Sequence, residues 1–143
     1  MTVPVLRALV AQHPEVKITV VSRVFYKPIF KNIPNVNFFS AHVHHRHKGL
    51  LGLFRLYKDL KSKGMKNLIF DLQGNGGGLL DAARGVADEF ISGNKLLVYS
   101  IGRAQPRSNL NASKKGLWEE GGLIVLTDEY TASASEIVSG AIQ

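Results

Sequence analysis

The chain has 143 residues, enough for one domain with one sizeable core, and its apolar fraction of 45% is that of an ordinary globular protein. It holds no cysteine, which excludes a disulfide scaffold, a thiol nucleophile and thiolate metal sites. The net charge is +7, no apolar run reaches membrane-spanning length, and the N-terminus lacks the basic-then-apolar order of a signal peptide.

Val5 to Gln12 is predicted as an amphipathic helix with Val5, Leu6, Leu9 and Val10 on one side; Pro4 suits its first turn and Pro14 follows its end. Val16 to Val21 is β-branched and reads as a strand. Val24 to Phe30 reads as a short helix around Pro28, Asn32 to Asn35 as a turn, and Val36 to Phe39 as a second strand. Ser40 to Gly49 carries His42, His44, His45 and His47. Clustered histidines can bind metal, and His42 and His44 would share one strand face. No cysteine or acidic partner stands nearby in sequence, so the expectation is a solvated basic loop without metal. Leu50 to Lys63 has helical spacing, with Leu50, Leu53, Phe54, Tyr57 and Leu60 inward and Arg55, Lys58, Lys61 and Lys63 outward; Gly64 ends it.

The stretch from Met65 to Leu80 organises the rest. Asn67 to Leu72 is a short apolar run between a Lys/Gly turn and a glycine-rich loop, which reads as a buried strand. Gly74, Gly76, Gly77 and Gly78 follow, and Leu79 to Ile91 then reads as a helix, with Leu79, Leu80, Ala83, Val86, Ala87 and Phe90 at three- and four-residue steps. Strand, glycine loop and helix start put free backbone N–H groups at the end of a sheet, where negative charge is held. Such a loop serves phosphate binding, an oxyanion hole, or a tight turn without a ligand. The phosphate patterns are not met: no Gly-Lys-Ser/Thr ending follows and no acidic residue takes the ribose-binding place, so no cofactor is expected.

Lys95 to Ile101 reads as a strand, Gly102 to Gly122 as a polar loop, Leu123 to Thr127 as a buried strand, and Ile137 to Gln143 as a helix. Between the last two, Ser133-Ala134-Ser135-Glu136 fits a capping box. The same residues put a hydroxyl at a helix N-terminus directly after a strand, a place that suits a nucleophile. The alternation predicts an α/β fold, a mainly parallel sheet with flanking helices, its strands near 17–21, 36–39, 67–72, 95–101 and 123–127. Charge divides the chain differently. Up to Gly64, eleven Lys and Arg face Glu15 and Asp59, a net of +9; from Met65 onward seven face nine, a net of −2. Such a step suggests two origins or two tasks, and the basic half should bind polyanions weakly, through charge alone, with no specific nucleic acid partner.

Residues 65–143 resemble the tail-specific, or C-terminal processing, serine peptidases of bacteria. Three phrases carry the likeness: Asn67-Leu-Ile-Phe-Asp-Leu-Gln-Gly-Asn-Gly-Gly-Gly-Leu-Leu80, Leu123-Ile-Val-Leu-Thr127 and Thr131-Ala-Ser-Ala-Ser-Glu-Ile137. It departs at Gln73, where arginine is common. The resemblance implies Ser133 as nucleophile and the N–H groups of Ala134 and Gly78 (Gly77 as the fallback) as the oxyanion hole, with no metal or cofactor. It also implies unfolded polypeptide or protein C-termini as partners, and a place in the cell envelope or periplasm. The family pairs its serine with a lysine downstream of the helix that begins after Ser133, and here the chain ends at Gln143 within that helix. The expectation is a truncated core that lacks its general base and is inactive. Residues 1–64, from Thr2-Val-Pro-Val-Leu-Arg-Ala-Leu through Ile18 to Ser22 and the Leu51 to Lys63 helix, resemble part of the ADP-heptose:lipopolysaccharide heptosyltransferases, with no catalytic residue carried over. The two resemblances together imply a chimera, 1–64 and 65–143, joined near Leu60 to Gly64. The alternative is a non-catalytic anion- or glycolipid-binding α/β domain derived from a heptosyltransferase.

Overall fold

The computed structural model describes residues 3–143, the side chain of Leu50 excepted, and divides the chain into two units, Met1–Gly64 and Met65–Gln143. Thr2 and the Leu50 side chain, both used in the sequence reading, lie outside the described residues.

In the first unit, helix α1 (Val3–Gln12) buries Leu6 and Val10, one turn apart, and leaves Val5 half exposed. Strands β1 (Ile18–Ser22) and β2 (Val36–Ser40) pair in parallel, from Ile18 opposite Val36 to Ser22 opposite Ser40. The connection between them contains a 3-10 helix, Val24–Phe30, with Pro28 inside it. Phe30 stacks on Phe38 of β2 at 5.9 Å between ring centres, which holds that connection against the ladder. Helix α2 (Gly49–Ser62) follows, its Leu53, Leu56, Tyr57 and Leu60 half-buried and Phe54 exposed. Gly64, at φ +85°, takes the left-handed conformation that ends the helix.

The second unit is built on a parallel pair distant in sequence. Strand β3 (Asn67–Asp71) runs beside β6 (Gly122–Leu126), with Asn67 opposite Gly122 and Asp71 opposite Leu126. Helices α3 (Leu80–Ala87) and α4 (Ala134–Ile142) pack on each other, and Leu72, Ala83, Ala134 and Val138 form a buried cluster with Phe70, Val86, Val125, Ile137 and Ile142 around it. A second cluster, Ala87, Leu97 and Ala112, takes Ile91 and Ala141 as neighbours. Helix α4 therefore contributes side chains to both.

Among the described residues, the single mainly parallel sheet that the sequence predicts does not form. Three two-stranded ladders, two parallel and one antiparallel, stand in its place among the described residues, with helices between them in the chain. The antiparallel ladder joins β4 (Leu96–Ser100) to β5 (Ser108–Asn111), a strand inside what reads as a polar loop. Its sequence, Ser-Asn-Leu-Asn, has little strand propensity, and pairing with β4 supplies what the side chains do not. Helix α3 is also shorter than its periodicity predicts. After Ala87 the backbone tightens to i→i−3 bonds, Glu89 N–H to Val86 and Phe90 N–H to Ala87, and the buried side chains of Asp88 and Glu89 bind the 113–118 loop. Asp88 accepts from the Ser113 N–H at 2.7 Å and its hydroxyl at 2.9 Å. Glu89 pairs with Lys114 and accepts the Leu117 N–H at 3.0 Å. Two buried carboxylates thus find the donors that burial demands.

Candidate active site

Ser133 stands immediately before α4 with φ 56° and ψ −120°, a conformation rare for any residue with a side chain. A serine forced into a sharp strand-to-helix turn presents its Oγ outward. The capping box closes around it: Glu136 Oε2 accepts the Ser133 N–H at 2.6 Å. That N–H is therefore occupied. The Ala134 N–H, at the first position of the helix, has no acceptor among the described residues.

The glycine loop lies against this turn. A methyl group on Gly77 would sit 2.6 Å from the Ala132 carbonyl oxygen, 2.7 Å from the Ala134 nitrogen and 3.0 Å from Ser133 Cβ. Only a residue without Cβ fits there, and the φ of +91° asks for glycine independently. The Gly77 N–H donates to Asn75 Oδ1 at 3.0 Å. A Cβ on Gly78 would meet nothing within 4 Å, and the Gly78 N–H has no acceptor among the described residues. The two loops are tied by the Ala132 N–H to the Asn75 carbonyl (3.1 Å) and by the Thr131 hydroxyl to the Leu72 carbonyl (2.9 Å).

Asp128 is the residue that the sequence reading passed over. Its Oδ1 accepts the Gly74 N–H at 2.9 Å, the Tyr130 N–H at 3.1 Å and the Thr131 hydroxyl at 3.1 Å. The hydrogen bond from Gly74 is the main cause that holds its carboxyl below the ordinary carboxylate range. The spacing Asp-x-x-Thr, with the Asp side chain on its own backbone two residues on, was a visible turn signal.

The histidine cluster resolves differently from the solvated loop expected of it. His42, His44 and His45 are exposed, but His47 is buried. Its Nδ1 accepts the His42 N–H at 3.0 Å, so the proton sits on Nε2, which lies 3.2 Å from Asp59 Oδ2. An acidic partner does exist; it arrives from α2, twelve residues on. Asp59 also takes a bidentate pair from Arg46 at 3.1 and 2.8 Å, and the Arg46 and His47 hydrogen bonds lower its pKa to about 2. Both His47 ring nitrogens are used structurally. No group of three or more His, Cys, Asp or Glu among the described residues could hold a metal ion. No helix among them is long and apolar enough to cross a membrane.

A serine on a strained turn, backed by a glycine loop with a free N–H beside it, is the arrangement that serine hydrolases use for acyl transfer. Comparison with known proteins narrows the class. Residues 42–143, more than half of the chain, match peptidase family S41, and the chain belongs to that family. It is 36% identical over 84 residues to the carboxyl-terminal-processing peptidase 3, chloroplastic, of Arabidopsis thaliana, an alignment covering 59% of this chain and 16% of that protein. It is 42% identical over 91 residues to the carboxy-terminal-processing protease of Bartonella bacilliformis, covering 60% and 21% respectively. Among solved structures, the photosystem II D1 C-terminal processing protease is similar with a TM-score of 0.57 and 30% identity, over 64% of this chain and 23% of that one. The chain thus spans about a fifth of the length of these relatives. The family match takes in α2 as well as the second unit.

Proposed function

We propose that residues 65–143 carry the acylation half of a C-terminal processing serine peptidase, acting on unfolded polypeptide or protein C-termini. In this reading Ser133 Oγ forms a bond to the scissile carbonyl carbon, its proton passes to the general-base lysine of a downstream segment, and the π pair moves onto the carbonyl oxygen. The N–H groups of Ala134 and Gly78 hold that oxyanion, each contributing about 3 kcal/mol. The observation that carries it is the pair of unsatisfied donors, Ala134 and Gly78, on two loops brought together at Gly77. It favours Gly78 over the fallback, because the Gly77 N–H is already given to Asn75.

Among the described residues, no hydrogen bond of Ser133 runs to a lysine or histidine that could act as its general base. Lys66 precedes β3, whose glycine loop leaves the opposite end, about 16 Å away for five strand residues. Lys114 is held by Glu89 in a different loop. A neutral hydroxyl without a base in reach is a weak nucleophile, and an oxyanion hole alone leaves about 10³–10⁴ over water. The 143-residue chain should therefore turn over no fluorogenic unstructured peptide, whereas joining it to the downstream lysine-bearing segment of a C-terminal processing peptidase should give turnover that Ser133→Ala abolishes. Ser133-dependent turnover by the 143 residues alone would place a base within them and overturn the assignment.

For the residues before the family match, the reading is a heptosyltransferase-like α/β piece, in which α1 is followed by the parallel β1–β2 pair. The match reaching back to residue 42 favours a joint between β2 and α2 over one at Leu60 to Gly64. Sequencing the genomic locus across residues 41–66 tests it: one uninterrupted frame in independent isolates would exclude an assembly error.

A further inference from the structure

The glycine loop and the Ser133 turn come from places in the chain more than fifty residues apart, yet acyl transfer needs their N–H groups aimed at one oxygen. Misplacement of a donor by about 1 Å can lower a rate 10²-fold. We propose that Asp128 is a positioning residue that sets this alignment, joining the start of the glycine loop to the start of the Ser133 turn through one carboxylate oxygen; the proposal rests on Ser133 being the nucleophile.

Three ties link the two loops, and the Asp128 tie differs from the others in chemistry. The Ala132–Asn75 and Thr131–Leu72 bonds end on neutral carbonyls. The Gly74 N–H ends on a carboxylate, and a charged acceptor makes a bond roughly twice as strong. The same Oδ1 takes the Tyr130 N–H and shares the Thr131 hydroxyl proton with the Leu72 carbonyl. Thr131 completes the loop by accepting the Asp128 N–H at 2.9 Å. Gly74 lies four residues before Gly78, and Thr131 three before Ala134. Each donor of the oxyanion hole is therefore three or four residues along the chain from a group that Asp128 holds. Gly74 is itself at φ +68°, so its N–H direction depends on a conformation that few alternatives share.

A peptide boronic acid tests this without requiring turnover. It forms a bond from Ser Oγ to boron, boron passes from trigonal to tetrahedral, and the hydroxyl proton leaves to solvent; at equilibrium no general base is needed. Boron NMR on the full 143-residue chain reads the adduct. Ser133→Ala must abolish it; an unchanged adduct in Ser133→Ala, or none in the native chain, removes the nucleophile assignment and this inference with it. With that control satisfied, Asp128→Ala should weaken the adduct roughly tenfold or more, and Asp128→Asn, which keeps a neutral acceptor, should fall between. Amide exchange separates alignment from general weakening: the Gly74 N–H should exchange faster in Asp128→Ala while the Phe70 N–H within β3 stays as protected as before. Native-like adduct affinity in Asp128→Ala overturns the proposal, as does equal acceleration at Gly74 and Phe70. Should Asp128→Ala fail to fold, Thr131→Val should lower affinity and Thr131→Ser restore it; native affinity in both would overturn the proposal equally.

Discussion

Residues 1–64 and 65–143 both leave large apolar side chains exposed, Leu79, Ile101, Ile124 and Tyr130 among those of the second unit, but they differ in how the buried ones are joined. In the first unit Leu6, Val10 and Ile33 are buried, while Val24, Phe25, Ile29 and Leu51 stand more than half exposed. The second unit closes two contiguous clusters, and one helix, α4, seals both. It also turns buried carboxylates to use: Asp88 and Glu89 anchor the loop that leads to the buried Trp118. The nearest counterpart in the first unit is the Arg46–Asp59–His47 set, which ties a histidine loop to α2 by charge. Among the described residues the contiguous buried clusters lie in the second unit, whereas in the first the side-chain ties converge on Asp59. That difference predicts where each will break.

The largest effect should follow truncation within the first cluster. Leu72→Ala removes a nearly fully buried side chain between α3 and α4, and should destabilise the second unit by about 2–5 kcal/mol. Amide exchange read separately in β3 and in β1 sharpens the comparison: β3 should lose protection and β1 keep it. Equal loss in both strands would show that the two units melt as one. Next comes the glycine loop. Gly77→Ala puts a methyl group within 2.7 Å of the Ala134 nitrogen at a positive φ, and should cost more than about 1 kcal/mol. Gly78→Ala meets open space and should stay within about 0.5 kcal/mol by denaturant titration. If the two variants behave alike, the loop does not lie against Ser133 as described.

In the first unit the test is pH. The folded pKa of Asp59 is lowered from 3.8 to about 2, so its contribution is present above about pH 4 and is lost as pH falls through the folded value. Protection of β1 and β2 amides should decline between pH 4 and 2, and Asp59→Asn should remove most of that slope. A slope that survives the substitution would assign the acid sensitivity elsewhere. The smallest effect expected is polyanion binding. With a net +9 and few carboxylates, the first unit should retain heparin weakly at 0.1 M salt, where the Debye length is about 10 Å, and release it by 1 M, where it is about 3 Å. Retention at 1 M would mean a shaped site rather than spread charge.

Local patterns announced most of these elements because they need only neighbours in sequence. The β-branched run at 18–22, the apolar run at 67–72 and the Ser133–Glu136 box each carry their own instructions. Which strands pair is a different kind of information. Five strand-like runs suggest one sheet, but β4 turns back on Ser108–Asn111, whose polar residues give no advance sign of it. The end of α3 differs from its periodicity for a related reason: Phe90 and Ile91 continue the helical spacing, while the last turn tightens where the Asp88 and Glu89 side chains meet partners some 25 residues away. At the site, Ser133 and the glycines could be picked out by type. Asp128 could not be ranked above any other turn aspartate until Gly74, 54 residues away, was seen to donate to it.

Ser133 holds its turn against its own backbone preference, and that has a bearing on how such a chain changes under selection. A non-glycine residue at φ 56° and ψ −120° costs of order 1–3 kcal/mol, which glycine would release. A library sorted only for resistance to heat should therefore drift toward glycine at position 133 and discard the hydroxyl on the way. Enrichment of serine there would require selection for chemistry, so the allele recovered at this one codon reports which pressure was applied.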